Sequence, residues 1–135
     1  MRLWHKKLIK VLPRKQLLSQ WRECCCIAKL ISESGTPNHI LVNKIMDYDI
    51  SHFVNYTELV ISEMNKRGWK INTEKFYKYF QGMDIREYNI IFFNWHNFRY
   101  LTQCFYNLQE KYNCGGISDE EWDKIKQRYD KYANN

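Results

Sequence analysis

Leu12-Pro13-Arg14-Lys15-Gln16-Leu17-Leu18-Ser19-Gln20-Trp21-Arg22-Glu23-Cys24-Cys25-Cys26-Ile27-Ala28-Lys29 is the stretch from which the fold can be read. Pro13 suits the first turn of a helix, where its missing N–H costs nothing. On a helical wheel Leu17, Trp21, Cys24, Ala28 and Ile31 fall on one side, with Leu18 and Cys25 at its edge, and this is the expected core face. Lys15, Arg22 and Lys29 make a second line, and Gln16, Ser19, Gln20 and Glu23 a third. No cation lies three or four residues from Glu23, so its partner must come from elsewhere in the fold or from a ligand.

Charge is distributed very unevenly around this stretch. Residues 1–29 hold eight basic side chains and one acid, a net +7, whereas the remaining residues sum to −1. All of the chain's net charge of +6 is therefore accounted for by its first fifth. A basic segment of this kind points to a polyanion, nucleic acid first and an anionic membrane surface second. The other reading is a solvated basic face with no partner.

Working outward, residues 1–11 are short for a helix and set Leu3, Trp4, Leu8, Ile9 and Val11 among lysines, which predicts a mostly extended arm anchored by Leu3 and Trp4. Ser32 to Asn38 reads as a loop, and His39 to Met46 as a short apolar, extended segment. Asp49 or Ser51 caps a helix that runs through Arg67 to Gly68, with Phe53, Tyr56, Val60 and Met64 on its apolar face. Thr73, Phe76, Tyr77 and Phe80 suggest a short helix closed near Gly82. Met83 to Trp95 fits either a buried helical turn or an isolated strand, and periodicity does not choose between them. Phe98, Leu101, Phe105, Leu108 and Tyr112 define another helix. Ser118 to Trp122 is a capping box with a hydrophobic staple from Ile117, opening a last helix through Ile125 and Tyr129. The fold class is all-α, a single domain over residues 1–135 with about four to five helices and an N-terminal arm.

No apolar run approaches the roughly 20 residues of a membrane span, and the charged start lacks the apolar centre of a signal peptide, so a cytoplasmic, DNA-associated protein is expected. Five cysteines, three of them adjacent, suggest reduced thiols and not a disulfide framework. Consecutive helical side chains point about 100° apart, which argues against a zinc site at Cys24 to Cys26.

With these residues placed, the chain resembles the pyrimidine-dimer DNA glycosylase family of the phage endonuclease V type. Met-Arg-Leu-Trp-His, Leu-Pro-Arg-Lys-Gln-Leu-Leu and Trp21-Arg22-Glu23-Cys24-Cys25 are similar to the opening of its bacterial branch. Tyr56 to Trp69 is similar to its central helix, and Tyr129 to Ala133 to an aromatic C-terminus. The resemblance implies an arm threaded between helices and a monomeric, bifunctional glycosylase and abasic-site lyase that acts on damaged double-stranded DNA. No metal or organic cofactor is implied. The chain's own α-amine, at Met1, attacks the anomeric carbon, a glutamate matching Glu23 is the essential carboxylate, and the arginine matching Arg22 helps to hold DNA.

These residue types suit those roles. An α-amine titrates near 8, well below a lysine near 10.4, so more of it is free to attack. A carboxylate can stabilise positive charge developing on the sugar and shuttle protons during elimination. Arg2, Arg14, Lys15 and Lys29 are the expected phosphate ligands, which makes binding salt-dependent. Three residues depart from the phage pattern. Arg2 replaces a small residue that permits removal of the initiator Met, so the amine belongs to Met1; Gln16 replaces a histidine, and Cys26 an arginine. The competing hypotheses are a non-catalytic nucleic-acid-binding module and a membrane-surface protein. His5, His39, His52 and His96 are read as structural, and Tyr129 and Tyr132 as either packing or DNA-contacting groups.

Overall fold

The computed structural model describes residues 1–134, and among them every regular element is helical. They are α1 (Arg14–Ser34), α2 (Ile50–Lys66), α3 (Glu74–Tyr77), α4 (Phe98–Asn113) and α5 (Asp119–Ala133), with 3-10 turns at Lys6–Val11, Asn43–Asp47 and Lys78–Phe80. α1 packs on α2, α4 on α5, and the Lys6–Val11 turn lies between α2 and α5. The all-α expectation holds.

The arm is extended only as far as His5. From Lys6 it coils into a 3-10 turn, because the His5 ring caps it, Nδ1 accepting the Lys7 N–H at 3.1 Å, and Leu8 and Ile9 turn into the core. Pro13 stands one place earlier than expected, at the N-cap of α1. α1 also continues through Ser32 to Ser34, read above as loop. Ser-Glu-Ser contains no breaker, and the helix runs on to Gly35, which takes φ 76° and returns its N–H to the Ile31 carbonyl at 2.8 Å. His39 to Met46 is not extended; it is a turn followed by 3-10 helix.

α2 starts as anticipated, with the Asp49 carboxylate accepting the Ser51 N–H at 2.8 Å. The capping box at Ser118 and Glu121 is formed in both directions. Tyr129 stacks on Phe105 with ring centroids 4.0 Å apart and shares a hydrogen bond with Thr102, while the Lys7 ammonium sits 4.1 Å over the Tyr132 ring. Packing thus accounts for both tyrosines.

Met83 to Trp95 is neither helix nor strand. Its backbone is held by side chains of α2: Ser51 Oγ accepts the Arg86 N–H at 2.9 Å, Asn55 Oδ1 the Tyr88 N–H at 2.8 Å, and His52 Nδ1 the Phe92 N–H at 3.0 Å. Phe92 and Asn94 take positive φ, and the run of apolar residues divides, Ile91 and Phe92 inward, Ile90 and Phe93 outward. Such a segment carries no periodic signal, because each residue is placed by its own contact.

Candidate active site

The first residues of the chain are buried with no strand beside them, so their backbone groups need side-chain partners. Gln20 supplies two: Oε1 accepts the Trp4 N–H at 2.8 Å, and Nε2 donates to the Arg2 carbonyl at 2.9 Å. Tyr56 donates its hydroxyl to the Trp4 carbonyl at 2.6 Å and lies 3.0 Å from Gln20 Oε1. The Tyr100 hydroxyl donates to the Leu3 carbonyl, and His96 Nδ1 accepts the Lys6 N–H at 3.0 Å. Side chains from α1, α2, α4 and the loop before α4 thereby fix residues 2–6, while Leu3 and Trp4 fill the core.

Fixing the arm sets the position of the amine. The Met1 nitrogen lies 3.9 Å from Glu23 Oε1, and the other carboxylate oxygen, Oε2, accepts the Arg2 N–H at 3.0 Å. One oxygen of Glu23 is anchored and the other is turned to the amine, with Met1 and Glu23 18% and 35% exposed. Both therefore reach solvent. A cleft of about 310 Å³ opens here, lined by Arg2, Lys15, Gln16, Glu23, Asn107 and Lys111 among others. Glu23 is its only acid among the described residues. Gln16 Oε1 is buried in the wall with no hydrogen-bond partner. The Arg2 guanidinium is 5.6 Å over the Trp4 ring, so this side chain lies back along the arm.

Beneath the arm sit His5 and His96, ring centroids 5.0 Å apart. Burial lowers His5 to about 4, with Lys6 and Lys7 adding to the effect and hydrogen bonding to the His96 backbone opposing it. Burial likewise lowers His96 to about 2, helped by His5 and Lys6. Neutral rings are what the hydrogen bonds need, since each Nδ1 accepts a backbone N–H.

Arg22 follows a different direction from Glu23, as adjacent helical residues must. It lines a second groove of about 650 Å³ with Arg14, Lys70 and Lys75, floored by Trp21 and Trp69 and lacking any carboxylate. The Arg14 guanidinium lies 5.4 Å over the Trp69 ring. Of the residues singled out from sequence, the structure brings together Met1, Arg2, Lys15 and Glu23, sets Arg14 and Arg22 in the second groove, and leaves Lys29 exposed outside both.

A family model described as pyrimidine dimer DNA glycosylase matches residues 1–77, more than half of the chain. The chain belongs to the pyrimidine dimer DNA glycosylase family. Its family assignment makes it a DNA repair glycosylase directed at damaged DNA. The matched part spans the arm, α1, α2 and α3, and so contains both Met1 and Glu23. No curated protein and no solved structure matches the chain. No helix among the described residues is long and apolar enough to cross a membrane.

Several residues of this candidate site were not singled out from the sequence. Gln20 was placed on the polar line of α1, and only the arm lying over that line buries it. Tyr56 read as core, which it is, but its hydroxyl also holds the arm. Tyr100, Asn107 and Lys111 come from α4, beyond the matched residues, and Lys70 and Lys75 from the segment around α3. A polar residue one turn before Glu23 was the available signal for Gln20; the others had none.

Proposed function

We propose that this glycosylase is also an abasic-site lyase, with the Met1 α-amine as nucleophile and Glu23 as the essential carboxylate, acting on damaged duplex DNA. The observation that carries the reading is the 3.9 Å approach of the Met1 nitrogen to Glu23 Oε1, made by an arm whose backbone is tied down on three helices.

The nitrogen lone pair attacks C1′ of the damaged nucleotide, and the glycosidic bond breaks with its electron pair leaving on the base. The amine gives up a proton, for which Glu23 Oε1, 3.9 Å away, is an acceptor. Opening of the C1′–O4′ bond, with O4′ taking up a proton, yields a protonated imine, and the anionic carboxylate stabilises that cation. Loss of a C2′ proton then expels the 3′ phosphate with the C3′–O electron pair, which nicks the strand. Hydrolysis of the imine frees the amine for another cycle. Preorganisation supports this assignment, since an amine held by neighbouring buried hydrogen bonds needs little further ordering before it reacts.

Binding is the work of the cations. Lys15 and Lys111 flank Glu23, and Arg14, Arg22, Lys70 and Lys75 occupy the second groove, in which nothing negative competes with phosphate. The test is Glu23→Gln, which keeps an acceptor for the Arg2 N–H. Nicking of an abasic-site duplex is expected to fall by about 10²- to 10⁴-fold, with affinity nearly unchanged. A glutamine variant that nicks at the wild-type rate would remove Glu23 from the mechanism.

A further inference from the structure

On α4, Arg99, Gln103, Asn107 and Lys111 follow one another at intervals of four, which places them along a single surface ridge. One end of this ridge, Asn107 and Lys111, forms a wall of the Glu23 cleft. The other end, Arg99 and Gln103, lines a separate cleft of about 280 Å³ together with Lys44, Asn94 and Asn97. That second cleft has two cations and three side-chain amides, and no carboxylate faces it. Neither Lys44 nor Arg99 has an acidic partner within 4.0 Å among the described residues, and both are exposed.

The two clefts meet at the arm. Tyr100, which lines the Lys44 cleft, donates its hydroxyl to the Leu3 carbonyl, and Arg2, which lines the Glu23 cleft, is close enough to Tyr100 to oppose the rise that burial imposes on its hydroxyl. From Arg99 to Lys111 the ridge rises roughly 18 Å along the helix, about five base-pair steps of a duplex measured along its axis at roughly 3.4 Å each. Ile40 and Leu41 stand on the rim of the Lys44 cleft, 85% and 48% exposed. Apolar groups beside unpaired cations suit a chain of sugars and phosphates better than an isolated anion.

We propose that the α4 ridge and Lys44 form a backbone track for the duplex flanking the damaged nucleotide, with Lys44 and Arg99 on phosphates and Ile40 and Leu41 against deoxyribose. The track rests on the reading of Glu23 and Met1 as the reacting centre, and it adds a contact at a distance from that centre. Lys44 and Arg99 line a cleft separate from that of Glu23, so these two govern affinity and not rate.

The experiment compares wild type with Lys44→Ala/Arg99→Ala on a duplex carrying a tetrahydrofuran abasic analogue, titrated across a series of salt concentrations. Loss of two phosphate contacts lowers the slope of log affinity against log salt by about 1.8. Single-turnover nicking of a true abasic site at saturating protein stays at the wild-type rate. Shortening the duplex on one side of the site weakens wild type and leaves the double variant, which has already lost that contact, nearly unaffected. An unchanged salt slope and an equal response to shortening, with wild-type binding and borohydride trapping intact, would overturn the track and leave the Met1 and Glu23 assignment standing. A wild type that neither binds nor traps would overturn both. Because Lys44 and Arg99 are exposed and hold no other element, matched thermal melts are expected for the two proteins.

Discussion

Arg22 and Glu23 are neighbours in sequence and open onto opposite kinds of cleft. On the Glu23 side a single carboxylate meets the chain's own amine, and the geometry is set by buried, uncharged hydrogen bonds from Gln20, Tyr56, Tyr100 and His96. On the Arg22 side four exposed cations line a larger groove with two tryptophans and no acid. The contrast separates positioning from affinity. Buried neutral contacts hold atoms closely and are insensitive to salt, whereas exposed cations attract a polyanion from any angle and are screened. A glycosylase needs both, and a helix provides both within two residues because successive side chains diverge by about 100°.

If that division is correct, the two sides fail under different stresses, and acid should strike the amine side hardest. His5 and His96 are lowered to about 4 and about 2, so between pH 6.5 and 4 the unfolded chain binds protons on both that the folded chain does not. Stability therefore falls as pH falls, by about 1.4 kcal/mol per unit for each ring. Urea midpoints measured from pH 7 to 4 should show this loss. His96→Gln, which still offers an acceptor to the Lys6 N–H, should flatten the profile; an unchanged slope would mean these rings do not set it.

Next in size is Gln20→Ala. It strips the Trp4 N–H and the Arg2 carbonyl of their partners, and each buried orphan costs about 1–3 kcal/mol. Unfolding should register the sum, and kcat for nicking should drop more than KM rises, because the amine loses its register. An equal effect on both constants would make Gln20 a purely structural residue.

The Arg22 side is probed by Arg14→Ala/Arg22→Ala. The salt slope of DNA binding should fall by about 2, with the saturated nicking rate and the acid profile left as in wild type. Were the rate to collapse instead, the two sides would not be separable. The smallest effect belongs to a residue that lines neither cleft: Ser118→Ala removes the α5 cap and should cost about 1 kcal/mol in thermal melts, with kcat and salt slope unmoved.

How much of this could be read from residues alone follows from how each part is held. α2 and α5 were legible because their caps, Asp49 and Ser118, and their apolar spacing are local. The special status of Glu23 was legible because no helical neighbour could pair with it. That Met1 would meet it came from the family resemblance, since 21 residues separate Arg2 from Glu23 and only the folded arm joins them. His96 reads as structural, which it is, and Gln20 as part of a polar line, but the partners of both stay hidden for the same reason: a polar residue on a helix or in a loop gives no sign that a distant segment will lie across it. Met83 to Trp95 defeated periodicity because its order is borrowed from Ser51, His52 and Asn55. The assignment of Arg22 and Glu23 to different clefts was implicit in helix geometry, but not which neighbours each would find.

The central claim is that the chain's own terminus is the nucleophile, and reductive trapping tests it most directly. Borohydride added during reaction with an abasic-site duplex should convert the imine to a stable amine, and peptide mass mapping should find the sugar on the Met1 nitrogen. An adduct on the ε-amine of Lys15 or Lys111, which line the Glu23 cleft, or no adduct at all, would contradict the account.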